Sequence, residues 1–128
     1  MPPSTLPYSL LVFAGGGAGA VLRFWAGEWG KSFDWGRQFP WATLAINVLG
    51  SFVLGVVATA CAGDDKASWR MLLGVGVCGG FTTFSTFSVE TLQLIEQQRW
   101  WAAGGYVLGS VAAGLLGAWA GWRLVRAF

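Results

Sequence analysis

The sequence predicts an all-α membrane protein of four transmembrane helices, and three observations carry that prediction. The first is composition: of 128 residues, 55% are hydrophobic, only 11% are charged and 20 are glycine, far from the balance of a soluble domain. The second is the spacing of charge, which leaves four uninterrupted windows at Met1 to Leu22, Gln38 to Gly63, Met71 to Val89 and Trp100 to Trp122. Each is close to the ~20 residues a helix needs to cross a ~30 Å hydrocarbon core. The third is the placement of nine tryptophans, all near the ends of these windows or between them, where amphipathic indoles sit at headgroup level.

Taken in order, the spans are expected at Tyr8 to Ala26, Pro40 to Cys61, Trp69 to Leu92 and Trp101 to Leu124, forming one domain over residues 1–128. The first window is read as a span rather than a secretory signal, because it lacks a positively charged start and runs through Gly15-Gly16-Gly17-Ala18-Gly19-Ala20. That glycine run is no phosphate loop either, since no Gly-Lys-Ser/Thr follows it. Small residues four apart, as in Gly15/Gly19, Gly16/Ala20, Ser51/Gly55, Gly76/Gly80, Gly105/Gly109 and Gly117/Gly121, put small faces on successive turns and let helices approach closely in lipid.

The inventory excludes several classes of function. Histidine is absent and the two cysteines, Cys61 and Cys78, are far apart in sequence, so transition-metal, disulfide-scaffold and histidine-based catalytic readings lose their raw material. Both thiols read as small apolar residues. The net charge is +2 and the bases are scattered, which disfavours a nucleic-acid partner. Lys66, Arg70, Arg123 and Arg126 fall on one side of the predicted membrane, with Lys31, Arg37 and Arg99 on the other and Arg23 near its edge. Such a near tie in the positive-inside rule fits weak statistics in a small protein, and it fits insertion in both orientations with assembly of an antiparallel homodimer.

The third span carries the chemistry. Its segment Gly79-Gly80-Phe81-Thr82-Thr83-Phe84-Ser85-Thr86-Phe87-Ser88 combines paired glycines with a dense group of hydroxyls, a poor recipe for an uninterrupted helix. A break is expected near Gly79 to Thr83, and irregular backbone at membrane depth survives only when buried in protein or lining a wet cavity. Hydroxyls in membrane helices often bond the carbonyl four residues back, but so many of them beside a glycine pair point to a polar pathway. After the break, Phe84 and Phe87 share a face at i,i+3. In the second span Asn47, with Thr43 one turn earlier, serves either as interhelical glue or as pore lining. In the fourth, Tyr106 and Ser110 lie one turn apart as a second polar stripe. Arg23 either snorkels to the interface or forms a positive mouth.

No ionised group falls in the middle of a span, which argues against a proton-coupled pump. Hydroxyl and amide donors with the positive edges of aromatic rings remain, and these solvate an anion weakly enough to release it. Residue chemistry thus reaches a small-anion pathway without naming the ion.

With these residues in view, the sequence resembles the small bacterial fluoride channels called Fluc or CrcB. The likeness runs through Gly-Gly-Gly-Ala-Gly-Ala-Val-Leu-Arg at 15–23, Phe-Pro-Trp-Ala-Thr-Leu-Ala-Ile-Asn-Val-Leu-Gly-Ser-Phe at 39–52 and Gly-Gly-Phe-Thr-Thr-Phe-Ser-Thr-Phe at 79–87. Trp41 stands where that family's Phe-Pro-Gly-Thr-Leu pattern has glycine. The resemblance implies a dual-topology antiparallel homodimer in the bacterial inner membrane, with two fluoride pathways built from both subunits. It implies that Phe84 and Phe87 form an aromatic box whose ring edges face fluoride, that Asn47 supplies an amide at a pore end, and that Ser85, Thr86, Tyr106 and Ser110 form a hydroxyl track. Arg23 matches a vestibule arginine. The resemblance further implies a structural sodium ion at the dimer interface, held by the backbone carbonyls of Gly79 and Thr82 of each subunit. The function it implies is passive export of cytoplasmic fluoride, giving fluoride resistance, with no enzymatic step. The rival expectation is a small multidrug-type proton-coupled exporter, which needs a carboxylate within the first span; Glu28 lies at its end and Glu90 toward the end of the third.

Overall fold

The computed structural model describes residues 2–128, and four of its helical segments are long and apolar enough to cross a membrane: Thr5–Lys31, Trp41–Ala60, Asp64–Glu96 and Trp100–Arg126. Helix α1 spans Thr5–Lys31, and at 27 residues with about 1.5 Å of rise for each its length exceeds the hydrocarbon thickness. The one-and-a-half-turn helix α2, Asp34–Gln38, follows. Pro40, whose missing N–H costs nothing at a helix start, caps α3, Trp41–Ala60. Trp41 is exposed and its ring packs 4.7 Å from that of Phe39. A short 3-10 turn, Asp64–Lys66, and α4, Ala67–Trp69, lead into the third span. The fourth span is α7, Trp100–Arg126.

Helix α3 packs chiefly on α7, while α1 packs on the first half of the third span. Glycine sets these distances. A methyl group at Gly15 or Gly19 would run into the carbonyl oxygens of Leu72 or Val77, and one at Gly80 into the Gly16 carbonyl. Gly55 and Gly121 make the same close approach between α3 and α7. Gly104, Gly105 and Gly109 differ, because the space beside each is open. The interior is correspondingly thin: Tyr106 is the one large side chain among the described residues that is fully buried, while all nine tryptophans and most leucines are exposed. In a bilayer those exposed apolar side chains face a solvent that suits them.

The third span has three parts. Arg70–Cys78 is wound as a π-helix, π1, a rare form that the sequence did not announce. Gly79–Phe81 forms one α-helical turn, α5. Thr82 and Thr83 then adopt extended backbone (φ/ψ −82/157° and −152/118°) before α6 resumes over Phe84–Glu96. The expected interruption at Gly79 to Thr83 is therefore narrower than the glycine pair suggested. Gly79 and Gly80 stay helical, and Gly80 serves close packing against α1. The turn from α6 to α7 closes through Gln98, whose φ of 57° lets the Arg99 N–H reach the Leu94 carbonyl at 2.9 Å.

Candidate functional site

The interruption is held open by one side chain. Asn47 Nδ2 donates to the Thr83 carbonyl at 3.0 Å, and Asn47 Oδ1 accepts the Thr83 N–H at 2.8 Å. Thr83 also caps α6, its Oγ1 accepting the Thr86 N–H at 3.2 Å, which is the role threonine plays at helix starts. These bonds have a second effect. In an unbroken helix the Thr83 N–H would serve the Gly79 carbonyl, and the Thr86 N–H the Thr82 carbonyl. Both donors are diverted, so the Gly79 and Thr82 carbonyls lose their helical partners. Two such oxygens are hard ligands that fit a hard cation such as sodium.

Two cavities flank Thr83. The smaller, about 290 Å³, is lined by Asn47, Gly50, Thr82, Phe84, Phe87 and Ser110, with Thr83 at its edge. No charged residue lines it. The Phe84 and Phe87 rings lie 5.7 Å apart at 43°, Phe84 79% exposed and Phe87 packed 5.0 Å from the Tyr106 ring. Ser110 Oγ is buried and makes no hydrogen bond among the described residues, a costly state unless a group outside the chain partners it. The larger cavity, about 470 Å³, is lined by Arg23, Thr43, Thr86, Glu90 and Arg99, again with Thr83. Arg23 is half-buried there.

Of the residues singled out in the sequence, Asn47, Phe84, Phe87 and Ser110 thus meet at one cavity, and Arg23 and Thr86 at the other. Ser85 lines neither, but its Oγ lies 3.3 Å from Thr83 Oγ1. Tyr106 and Ser110 have different surroundings within the chain, Ser110 lining the smaller cavity and Tyr106 neither. The Tyr106 hydroxyl donates to Glu90 Oε2 at 2.6 Å, on the side of the larger cavity, and the Thr43 hydroxyl donates to Glu90 Oε1 at 2.8 Å. The sequence placed Thr43 only one turn before Asn47, Glu90 only toward the end of the third span and Thr83 only within the break; the structure brings them to the cavities. Glu28, by contrast, pairs with Lys31 at 2.8 Å at an exposed helix end.

Residues 10–122 match the family model described as CrcB-like protein, Camphor Resistance (CrcB). A protein of Oceanobacillus iheyensis named Fluoride-specific ion channel FluC is 47% identical over 117 residues, covering 90% of this chain and 88% of its own. Proteins of the same name from Rhodospirillum rubrum and Novosphingobium aromaticivorans are 46% and 48% identical, over 88% and 90% of this chain and 89% and 93% of theirs. With this match over most of its length, the chain belongs to the CrcB family.

Proposed function

We propose that this chain is a fluoride-selective ion channel, a multi-pass protein of the bacterial membrane that exports fluoride passively and so confers fluoride resistance. The observation that carries this reading is the smaller cavity, where an amide, an unpartnered Ser110 hydroxyl and two phenylalanine rings converge without a charged group. A small anion there exchanges water for O–H and N–H donors and positive ring edges. Nothing in that cavity binds it as tightly as a buried cation would, which leaves it free to move on. Arg23 raises the local anion concentration at the larger cavity. Hydrogen fluoride that crosses the lipid and ionises inside leaves trapped anions, and a negative interior drives them out with about 2.3 kcal/mol per charge for each 100 mV. No chemical step or proton coupling is needed.

The channel is an antiparallel homodimer of oppositely inserted copies. Three features support this reading: the near tie in basic residues between the two sides, the 79% exposed Phe84 beside a half-open cavity, and the open glycine face at Gly104, Gly105 and Gly109. A partner would complete each cavity. The Gly79 and Thr82 carbonyls of each subunit would hold a structural sodium ion, which would supply positive charge to fix the two interrupted spans together.

The test is fluoride efflux from proteoliposomes of purified protein, with no pH gradient and with chloride as competitor. The expected result is rapid fluoride loss unaffected by chloride. Strict dependence on a proton gradient, or equal passage of chloride, refutes the reading.

A further inference from the structure

Thr83 stands where the two cavities meet, and the bonding capacity of its hydroxyl is fully used. The side chain is buried, 8% exposed, and lines both cavities. A threonine hydroxyl offers one proton and two lone pairs. Thr83 Oγ1 gives its proton to Thr86 Oγ1 at 3.1 Å and accepts the Thr86 N–H at 3.2 Å. Its third partner is Ser85 Oγ at 3.3 Å. Because the Thr83 proton is already committed, Ser85 is the donor in that pair. The bonds therefore run in one direction, from Ser85 to Thr83 and from Thr83 to Thr86. Thr86 accepts from behind and keeps its own proton, on an exposed side chain lining the larger cavity.

We propose that Thr83 is a positioning residue for the anion path: by donating to Thr86 it turns the Thr86 hydroxyl proton toward the cavity, where a passing fluoride accepts it. The proposal rests on the channel reading above. Ser85, Thr83 and Thr86 form a donor chain whose last acceptor is the anion, and each hydroxyl that accepts while it donates is a stronger donor for it. Of the two hydroxyls that flank this point, Thr86 touches the ion and Ser85 acts through Thr83. The chain holds its direction because Asn47 pins the Thr83 backbone on both sides. A helix cap needs only the acceptor half of this arrangement. Donation to Thr86 adds nothing to capping, and that difference can be measured.

The experiment is fluoride efflux from proteoliposomes for the wild type, Thr83→Val, Thr86→Val, the double variant and Thr83→Ser. Valine keeps the shape and removes the hydroxyl. Thr83→Val and Thr86→Val are each expected to slow efflux about tenfold or more, the loss that goes with one hydrogen bond to an ion. The double variant is expected to be no slower than Thr86→Val alone, and Thr83→Ser to retain wild-type efflux. Multiplying effects in the double variant, wild-type efflux in Thr86→Val, or failure of Thr83→Ser to retain efflux overturns the proposal. Should Thr83→Val not fold, Ser85→Ala replaces it in the same cycle: a decrease in the wild-type background that vanishes in Thr86→Val supports the chain, and a multiplicative decrease overturns it. Absence of fluoride efflux from the wild type is a separate result, which removes the channel reading itself.

Discussion

The Asn47 amide serves both backbone polar groups of Thr83, donating to its carbonyl at 3.0 Å and accepting its N–H at 2.8 Å. A neighbouring β-strand would offer the same pair of bonds, so a single side chain acts here as a ladder one residue long. Extended backbone inside a hydrocarbon slab is tolerated only when such partners exist. Asn47 is thus the glue that the sequence left open as one of two roles. Its remaining N–H is available at the smaller cavity, which its side chain lines.

Asn47→Ala leaves the Thr83 N–H and carbonyl unpaired together. At about 1–3 kcal/mol for each stranded group, the variant should lose roughly 2–6 kcal/mol of unfolding free energy. Reversible unfolding in mixed detergent micelles measures this. A midpoint equal to the wild type would show that the interruption stands without the amide.

The glycines separate into two kinds, and substitution tells them apart. Gly19→Ala forces a methyl group onto the Val77 carbonyl and the Phe81 N–H between α1 and the third span, a backbone clash costing about 1–3 kcal/mol. Gly105→Ala meets open space within the chain and gains up to about 1 kcal/mol of helix propensity. Thermal unfolding should therefore fall for Gly19→Ala and hold or rise for Gly105→Ala. If Gly105→Ala unfolds as early as Gly19→Ala, that face is occupied by a partner, and crosslinking of the two variants would show where.

Gln98 closes the turn between α6 and α7 at a φ of 57°, a left-handed conformation that costs a side chain of this type energy and glycine almost none. Gln98→Gly should stabilise the protein by about 0.5–1 kcal/mol, because the turn already has the hydrogen bonds that usually accompany glycine at a helix C-terminus. The readout is a small rise in melting temperature with fluoride efflux unchanged. A fall would show that the Gln98 side chain makes a contact worth more than its backbone cost.

How far the sequence could be read depended on what each residue type can do alone. The four spans were legible because charge spacing and tryptophan placement are properties of the chain itself. The hydroxyls were not legible one by one. Thr82 and Ser88 bond the carbonyls of Cys78 and Phe84, four residues back, as isolated hydroxyls in membrane helices commonly do. Thr83, Ser85 and Thr86 bond each other, and only the extended pair Thr82–Thr83 brings them together. The same holds for Glu90, whose partners Thr43 and Tyr106 come from two other helices. The π-helix over Arg70–Cys78 had no local signature, since its glycines read equally well as packing residues.

Phe84 and Phe87 divide stability and transport between them. Phe84 is 79% exposed, so Phe84→Ile removes little packing within the chain. Phe87 lies 5.0 Å from the Tyr106 ring, and Phe87→Ile gives up that aromatic pair at about 0.5–1.5 kcal/mol. Isoleucine fills much of the same space but carries no positive ring edge, so an anion in the cavity loses a partner at each site. The double variant is expected to keep a melting temperature close to that of Phe87→Ile alone while its fluoride efflux falls at least about tenfold, as for a lost charge-assisted contact. A folded double variant that conducts at the wild-type rate would remove the rings from the pathway and leave Asn47, Ser110 and the hydroxyls to carry it.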